Sequence, residues 1–261
     1  MEFCRSTALP HLEGRRSCQE NACYRPHSHD VLSIGVIDAG SSVLTTPASD
    51  PVQLETGNVI VIPANQVHAC NPHEGQWLYQ MIHMDQRWAA SLAPRREASH
   101  FLAEINVFHH PDLHRRVSAL NTAIYNDETR EQIEAQVKSL LGGLDIASSA
   151  YLTTSKTDPE LLTRLAPVMV RLRDDDSNPA LDDLAKLVGM TKYQLVRAVR
   201  RTTGLSPLAW RQNARITQGR HKLREGLPIT ETAHDLGFTD QSHFHRVFRA
   251  HVAASPGTYQ G

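Results

Sequence analysis

The sequence predicts an α+β chain: a β-barrel or sandwich at the N-terminal end, then helices, then an all-helical C-terminal domain built on two helix-turn-helix units. Three observations predict it. From about Val31 to Met84, short β-type runs are punctuated by Gly40, Pro47, Pro51, Gly57, Pro63 and Pro72. After Pro111 the hydrophobic period becomes helical. In the second half, Ala185–Gly189 and Ala233–Gly237 repeat the pattern Ala-x-x-x-Gly 48 residues apart, each followed by a polar cap and another helix.

Bulk properties bound the class. The chain has 261 residues, 40% hydrophobic and 21% charged, enough for two modest domains. Its net charge of -1 hides a polarised layout. Residues 1–157 hold 12 Lys/Arg against 17 Asp/Glu, a net of -5, whereas residues 158–261 hold 15 against 11, a net of +4. Thr191 to Arg224 contains nine basic residues and no acidic one. No stretch approaches 18 consecutive apolar residues and Met1 to Arg16 has no apolar core of a signal peptide, so a cytoplasmic protein without a membrane partner is expected. Four cysteines without a CxxC pair read as reduced thiols.

Element by element, the expected strands are Leu32 to Ile37, Ser42 to Thr46, Val59 to Ile62 and Trp77 to His83. Ile133, Val137, Leu140 and Leu144 then form a narrow apolar seam that could dock on the barrel or pair with a second subunit, although Gly142 and Gly143 weaken that helix. Thr153 to Pro159 is polar and turn-rich, a candidate linker. Asp158 followed by Pro159 starts a helix, and Pro167 is a candidate kink. The expected divisions are therefore residues 1–110, a helical connector 111–157, and 158–261.

The repeated Ala-x-x-x-Gly has a physical reading. A small Ala lets the second helix of a helix-turn-helix approach, and Gly supplies the left-handed turn. With Thr191 and Asp240 as N-caps, Leu195, Ala198 and Val199 in one copy and Phe244, Val247 and Phe248 in the other form a buried stripe. The opposite sides carry Tyr193, Val196 and Arg197, then Ser242, His245 and Arg246. Such a division suits helices that enter the major groove of double-stranded DNA. Arg197 and Arg246 fit bidentate donation to guanine. Gln241, Ser242, His243 and His245 fit base edges or phosphates, and Tyr193 or Val196 fits a thymine methyl. Thr191, Lys192, Arg200, Arg201, Arg211 and Arg220 are the expected backbone-side contacts.

These residues resemble the AraC/XylS family of bacterial transcription regulators. The resemblance is carried by Gly204 and Pro207, Arg215 and Leu223, Ile229, Ala233, Gly237-Phe238, Asp240, Phe244, Arg246-Val-Phe248 and Ser255-Pro256-x-x-Tyr259. It covers the C-terminal hundred residues. Four positions depart from the family pattern: Gly219 stands for the usual Ala, Ala253 for Gly, Val199 for Phe and Gln260 for Arg. The resemblance implies two helix-turn-helix units on a linker helix, entering successive major grooves roughly 34 Å apart.

In the N-terminal half, His27-Ser-His29 and the run from Gly57 through Pro63 to His68 resemble the two cupin motifs, over roughly residues 10–90. This implies a cupin-like barrel, the usual sensing half of AraC relatives, with His27, His29, His68, Trp77 and Tyr79 lining a small-molecule effector pocket. Three neutral imidazoles at His27, His29 and His68 would also suit a divalent transition metal, with Cys70, His73 or His83 as a fourth ligand. The glutamate of metal-binding cupin enzymes is missing from Val31 to Val36. His68-Ala-Cys-Asn-Pro72 with Trp77 and Tyr79 resembles AraC-type regulators found beside exporters, which implies a small polar effector.

The expectation is a DNA-binding transcription regulator, not an enzyme, that works without an obligatory cofactor. Its partners would be DNA, an effector, RNA polymerase if it activates, and in one reading a second copy of itself. A metal-dependent cupin enzyme with a helical appendage and a non-specific RNA-binding scaffold are the competing classes. The latter lacks exposed aromatic platforms on its helices.

Overall fold

The computed structural model describes residues 2–19, 24–47, 49–94, 100–152, 158–175 and 177–261. Residues 153–157 of the expected linker lie outside these. Backbone contacts divide the chain into two units. The first comprises Met1–Cys23, Ser28–Thr45 and Ser49–Thr154; the second comprises Tyr24–His27, Thr46–Ala48 and Ser155–Gly261.

The strands of the first unit are β1 (Glu2–Arg5), β2 (Glu13–Gln19), β3 (Leu32–Ala39), β4 (Ser41–Thr46), β5 (Ser49–Glu55), β6 (Asn58–Ile62), β7 (Ala69–Pro72), β8 (Trp77–Met84), β9 (Asn106–His109) and β10 (Tyr151–Leu152). They form a seven-stranded sheet in the order β1-β2-β8-β3-β6-β9-β10 and a three-stranded sheet in the order β5-β4-β7. The four expected strands are all present, within two residues at each end.

Strand alternation gives the large sheet two different faces. Leu32, Ile34, Val36, Val59, Val61, Ile82, Met84 and Phe108 share one core with three helices, α1 (Gln86–Leu92), α2 (Pro111–Tyr125) and α3 (Arg130–Ile146). The other face carries Glu13, Arg15 and Ser17 from β2, Trp77, Tyr79, Met81 and His83 from β8, and Ser33 and Ile37 from β3. Register confirms the sharing, since Glu13 lies opposite His83, Arg15 opposite Met81 and Ser17 opposite Tyr79. This is the inside of the barrel.

The seam of α3 resolves between its two expected roles. Ile133, Val137, Leu140 and Leu144 are all buried in the helix–sheet core, so that stripe docks on the sheet and is no pairing surface for a second subunit. Each such side chain contributes roughly 1.5–3 kcal/mol by burial. The helix forms despite its glycines because Thr129 and Gln132 close a capping box at its start. Gly143 also answers a packing need: a Cβ there would meet Leu113 Cδ2 of α2 at 2.9 Å. The close approach of the two helices offsets the weak propensity.

The second unit is helical: α4 (Pro159–Asp174), α5 (Leu181–Lys186), α6 (Lys192–Thr203), α7 (Pro207–Arg224), α8 (Ile229–Asp235), α9 (Gln241–Val252) and α10 (Pro256–Gln260). Asp158 caps α4 by accepting from Leu161 N at 3.0 Å. Pro167 does not interrupt α4, which runs unbroken through it. Two small cores hold the unit. One gathers Leu165, Val168 and Leu172 of α4 with Leu184, Ala185, Val188, Leu195 and Val199. The other is a run of rings in which Phe238, Phe244, Phe248 and Tyr259 follow one another at centroid distances of 5.1, 5.4 and 5.5 Å.

Candidate DNA-reading surface and sensor interior

The two helix-turn-helix turns are built alike. Ala185 and Ala233 are both buried, and Gly189 and Gly237 both take left-handed backbone, with φ of 61° and 65°. Met190 N donates to Ala185 O and Phe238 N to Ala233 O, each at 3.0 Å, so the same six-residue closure ends α5 and α8. An arginine then fastens each turn from a neighbouring helix. Arg164 of α4 donates to Val188 O at 2.8 Å, and Arg215 of α7 donates to Gly237 O at 3.1 Å. Orphan carbonyls at helix ends take such donors readily.

Each turn launches a capped helix with one buried and one open side. Thr191 Oγ1 accepts from Gln194 N while Gln194 Oε1 accepts from Thr191 N at 2.8 Å, a closed capping box for α6. Asp240 accepts from His243 N at 2.7 Å at the head of α9. Leu195, Val199, Phe244, Val247 and Phe248 are buried, with Ala198 partly so. Tyr193, Arg197, Gln241, Ser242 and Arg246 are exposed; Tyr193 is 73% exposed, with Lys192 Nζ 5.7 Å from its ring centroid. Val196 and His245 are half-buried on the same sides. His243 leans edge-on against Phe238 at 5.3 Å.

The basic residues fall into two groups. Arg200 is exposed, as are Lys192, 3.8 Å from Asp182, and Arg201, which donates to Asp158 at 2.8 Å. Exposed pairs of this kind contribute at most about 1 kcal/mol, so an incoming phosphate can displace them. Arg211 and Arg220 are different. Both are buried, which corrects the expectation that they contact phosphate. Arg211 donates to the Asn178 side chain and to the carbonyls of Asp175 and Ser177; Arg220 donates to the Tyr259 hydroxyl at 3.1 Å. They hold the linker helix in place. Arg249, exposed one turn beyond Arg246, is a cation that the sequence reading passed over.

In the first unit the structure brings His29 and His68 together, ring centroids 5.2 Å apart, and adds His83 at 5.1 Å from His29. His83 Nδ1 lies 2.8 Å from Ser33 Oγ, its cross-strand neighbour. His68 Nδ1 lies 3.0 Å from Gln66 O, and burial holds the ring's pKa down at about 4, so the imidazole is neutral. Burial also pushes the Cys70 thiol up to about 12, which keeps it protonated. Trp77 and Tyr79 are buried and stacked at 4.1 Å. His27 groups with the second unit, where its Nδ1 lies 2.7 Å from Arg25 O. His83 was expected beside these histidines as a fourth ligand; the inward Glu13, Arg15, Ser17 and Ser33 were not among the residues expected here. Their only signal was the period-two pattern Glu13-x-Arg15-x-Ser17, which reads equally as a solvent face.

A β-barrel sensor joined in one chain to a paired helix-turn-helix reader defines a ligand-responsive transcription factor. Comparison with known families agrees: residues 9–144 match the family described as AraC-like ligand binding domain, and residues 184–261 match a helix-turn-helix domain family. The chain belongs to the AraC/XylS family of transcriptional regulators, whose members couple a ligand-binding domain to DNA binding. It is 25% identical over 238 residues to the HTH-type transcriptional regulator YbfI of Bacillus subtilis, covering 89% of this chain and 86% of that one. It is 24% identical over 228 residues to the arabinose operon regulatory protein of Salmonella typhimurium, covering 78% and 74%. Among solved structures, ToxT of Vibrio cholerae superposes with a TM-score of 0.57 at 12% identity, covering 96% of this chain and 97% of that one, which shows a shared fold.

Proposed function

We propose that this regulator reads a bipartite DNA site through the open sides of α6 and α9, and that a small organic molecule held inside the barrel changes how the two helices sit on that site. Arg197 and Arg246 are the guanine readers, with Tyr193, Val196, Gln241, Ser242 and His245 supplying neighbouring base contacts. Thr191, Lys192, Arg200 and Arg201 grip phosphates, and His243 assists from its place against Phe238. The observation that carries this reading is the duplicated turn: the same closure, the same left-handed glycine and an arginine clip at each copy. Two readers fixed alike on a stiff helix suit two half-sites rather than one.

His29, His68, Trp77 and Tyr79 are the effector-contacting residues of this reading, with His83 added, and His27 stands as the sixth. The protein works in the cytoplasm without catalytic chemistry of its own, and recruits RNA polymerase where it activates. Any self-association uses a surface other than the buried α3 seam.

A second reading keeps a divalent metal on His27, His29 and His68. It is favoured by one feature: His27 and His68 each face the carbonyl two residues earlier with Nδ1, at 2.7 and 3.0 Å, which sets Nε2 as the ligating nitrogen. Stoichiometric zinc or iron in purified protein, lost in a His27→Ala, His68→Ala double variant, would establish it.

The first reading is tested by selecting bound sequences from a random DNA pool with the full-length chain at physiological salt. Two short conserved blocks about one helical turn apart are expected. Recovery of a single block, or of no motif with and without a metabolite library, would overturn the bipartite reader.

A further inference from the structure

We propose that Arg164 on α4 is the positioning residue of the first reading helix: it fixes the pose of α6 for its own block of the operator, while Arg215 on α7 does the same for α9 alone. This rests on the reading of α6 and α9 as the two readers of a bipartite site. Arg164 donates to Val188 O through Nε at 3.2 Å and through Nη2 at 2.8 Å, and Nη2 lies 3.5 Å from Gly189 O. Both carbonyls belong to the turn between α5 and α6, and Gly189 stands two residues before the Thr191 cap. A Cβ on Gly189 would come 4.0 Å from the same Nη2, so the guanidinium lies directly against the turn.

The clip supplies what the apolar core does not. Leu165, Val168 and Leu172 of α4 share one core with Leu195 and Val199 of α6. Such burial is non-directional, so it holds α6 on α4 without fixing how far the helix slides or rolls. A planar guanidinium gripping turn carbonyls is directional. It acts at the head of α6, where Tyr193, Val196 and Arg197 stand within two turns of the cap. Bidentate contacts to a guanine edge need donor–acceptor distances of roughly 2.7–3.2 Å, so a slip of about an ångström breaks them. Phosphate contacts from a flexible side chain such as Lys192 follow a displacement of that size. At its other end α6 meets α4 through Arg201 and Asp158, an exposed pair at 2.8 Å that the phosphate backbone can displace, so on DNA the helix relies on the head clip.

The two readers are fastened from different helices. The second turn takes its arginine from α7, where Arg215 Nη1 donates to Gly237 O at 3.1 Å and the guanidinium lies 5.8 Å from the Phe238 ring centroid. Losing one clip therefore frees one reader and leaves the other in place. Without Arg164, DNA binding itself must fix α6, and affinity falls by the preorganisation the clip supplied. That loss shows only where α6 has base contacts to align.

The test measures the affinity of the full-length protein for its selected operator, for two operators with one block scrambled in each, and for random DNA, below the melting temperature of every variant. Arg197→Ala identifies the α6 block and Arg246→Ala the α9 block. Arg164→Gln should bind the intact operator about tenfold more weakly, the equivalent of one charge-assisted hydrogen bond. On random DNA, and on the operator whose α6 block is scrambled, it should match the unaltered protein within about twofold. Arg164→Lys, which offers a single ammonium, should restore part of the loss. Arg215→Gln should show the mirror pattern, its loss confined to the α9 block. Should Arg164→Gln fail to fold, Arg164→Lys carries the same comparison with a loss of a few-fold, and no loss there refutes the assignment. An Arg164→Gln protein unchanged on the intact operator, or weakened equally on all four DNAs, would overturn it and leave a purely structural arginine. A two-block operator without a block-specific loss rejects only the clip; a selection that returns one block or none removes the bipartite reading, and the role of Arg164 falls with it.

Discussion

Arg220 donates through Nε to the hydroxyl of Tyr259 at 3.1 Å, with both side chains buried, and so ties the linker helix to the last helix of the chain. The guanidinium also lies 5.4 Å from the Tyr259 ring centroid. An arginine so placed stabilises the reader and does not touch phosphate. Arg220→Gln is expected to cost about 1.5–3 kcal/mol of stability, since it removes a charge-assisted hydrogen bond to a buried hydroxyl. The dependence of DNA affinity on salt should keep its slope. Denaturant unfolding together with a salt titration of operator binding checks both, and a slope shallower by about one unit would return Arg220 to the phosphate contacts.

On the open side of the reader, Arg246 and Arg200 should separate. Arg246→Ala is expected to lose about 1–3 kcal/mol at a single base position and to relax the preference there. Arg200→Ala should weaken target and random DNA alike and reduce the salt slope by about one. Affinities measured on a panel of single-base operator variants distinguish the two, and a uniform loss for Arg246→Ala would remove it from base reading.

The reader was legible because its signals are local. Caps, a left-handed glycine and an apolar stripe at helical spacing all fall within a dozen residues, so Thr191, Asp240 and the two buried faces were found where they stand. Arg220 was misassigned although its position contained the correction: it lies four residues after the buried Ile216 and three before the buried Leu223, on the core stripe of α7. The barrel interior was only half legible. Trp77, Tyr79 and His68 announced themselves by residue type, but β2 alternates charged and polar residues, and nothing local tells a polar interior from a solvent face. That distinction comes from pairing with β8, which lies more than 50 residues away in sequence. The α3 seam was seen correctly, and its partner was undetermined for the same reason.

Acid should weaken the first unit. His68 has a folded pKa of about 4 against an ordinary value of 6.5, because burial disfavours the imidazolium. Below pH 6.5 the unfolded chain takes up a proton that the folded chain refuses until about pH 4. Stability is therefore full above pH 6.5, falls by up to about 1.4 kcal/mol per pH unit through that window, and levels below it. His68→Gln should remove this share of the slope. Part of the slope should remain in the variant, because burial lowers His11 of the same unit as well. Unfolding free energies at pH 7, 6, 5 and 4.5 for both proteins make the comparison, and parallel curves would show that His68 takes up its proton at the same pH folded and unfolded.

The end of α9 offers a stabilising change. Ala253 closes the helix in left-handed backbone, φ 56° and ψ 14°, with its N–H on Arg249 O at 2.8 Å. An L-residue with a Cβ pays roughly 1–2 kcal/mol in that conformation, whereas glycine adopts it without a clash. The gain is partly offset by the greater freedom glycine has in the unfolded chain, about 0.5–1 kcal/mol. Ala253→Gly should accordingly stabilise the C-terminal unit by up to about 1 kcal/mol and leave sequence preference untouched, since Ala253 lies a full helix length from Gln241 and Ser242. The corresponding cap of α6 is already Gly204 at φ 77°, so the substitution would make the two reading helices end alike. A melting temperature that falls, or fails to rise, in Ala253→Gly would mean that the Ala253 methyl group makes a packing contact worth more than the backbone strain it imposes.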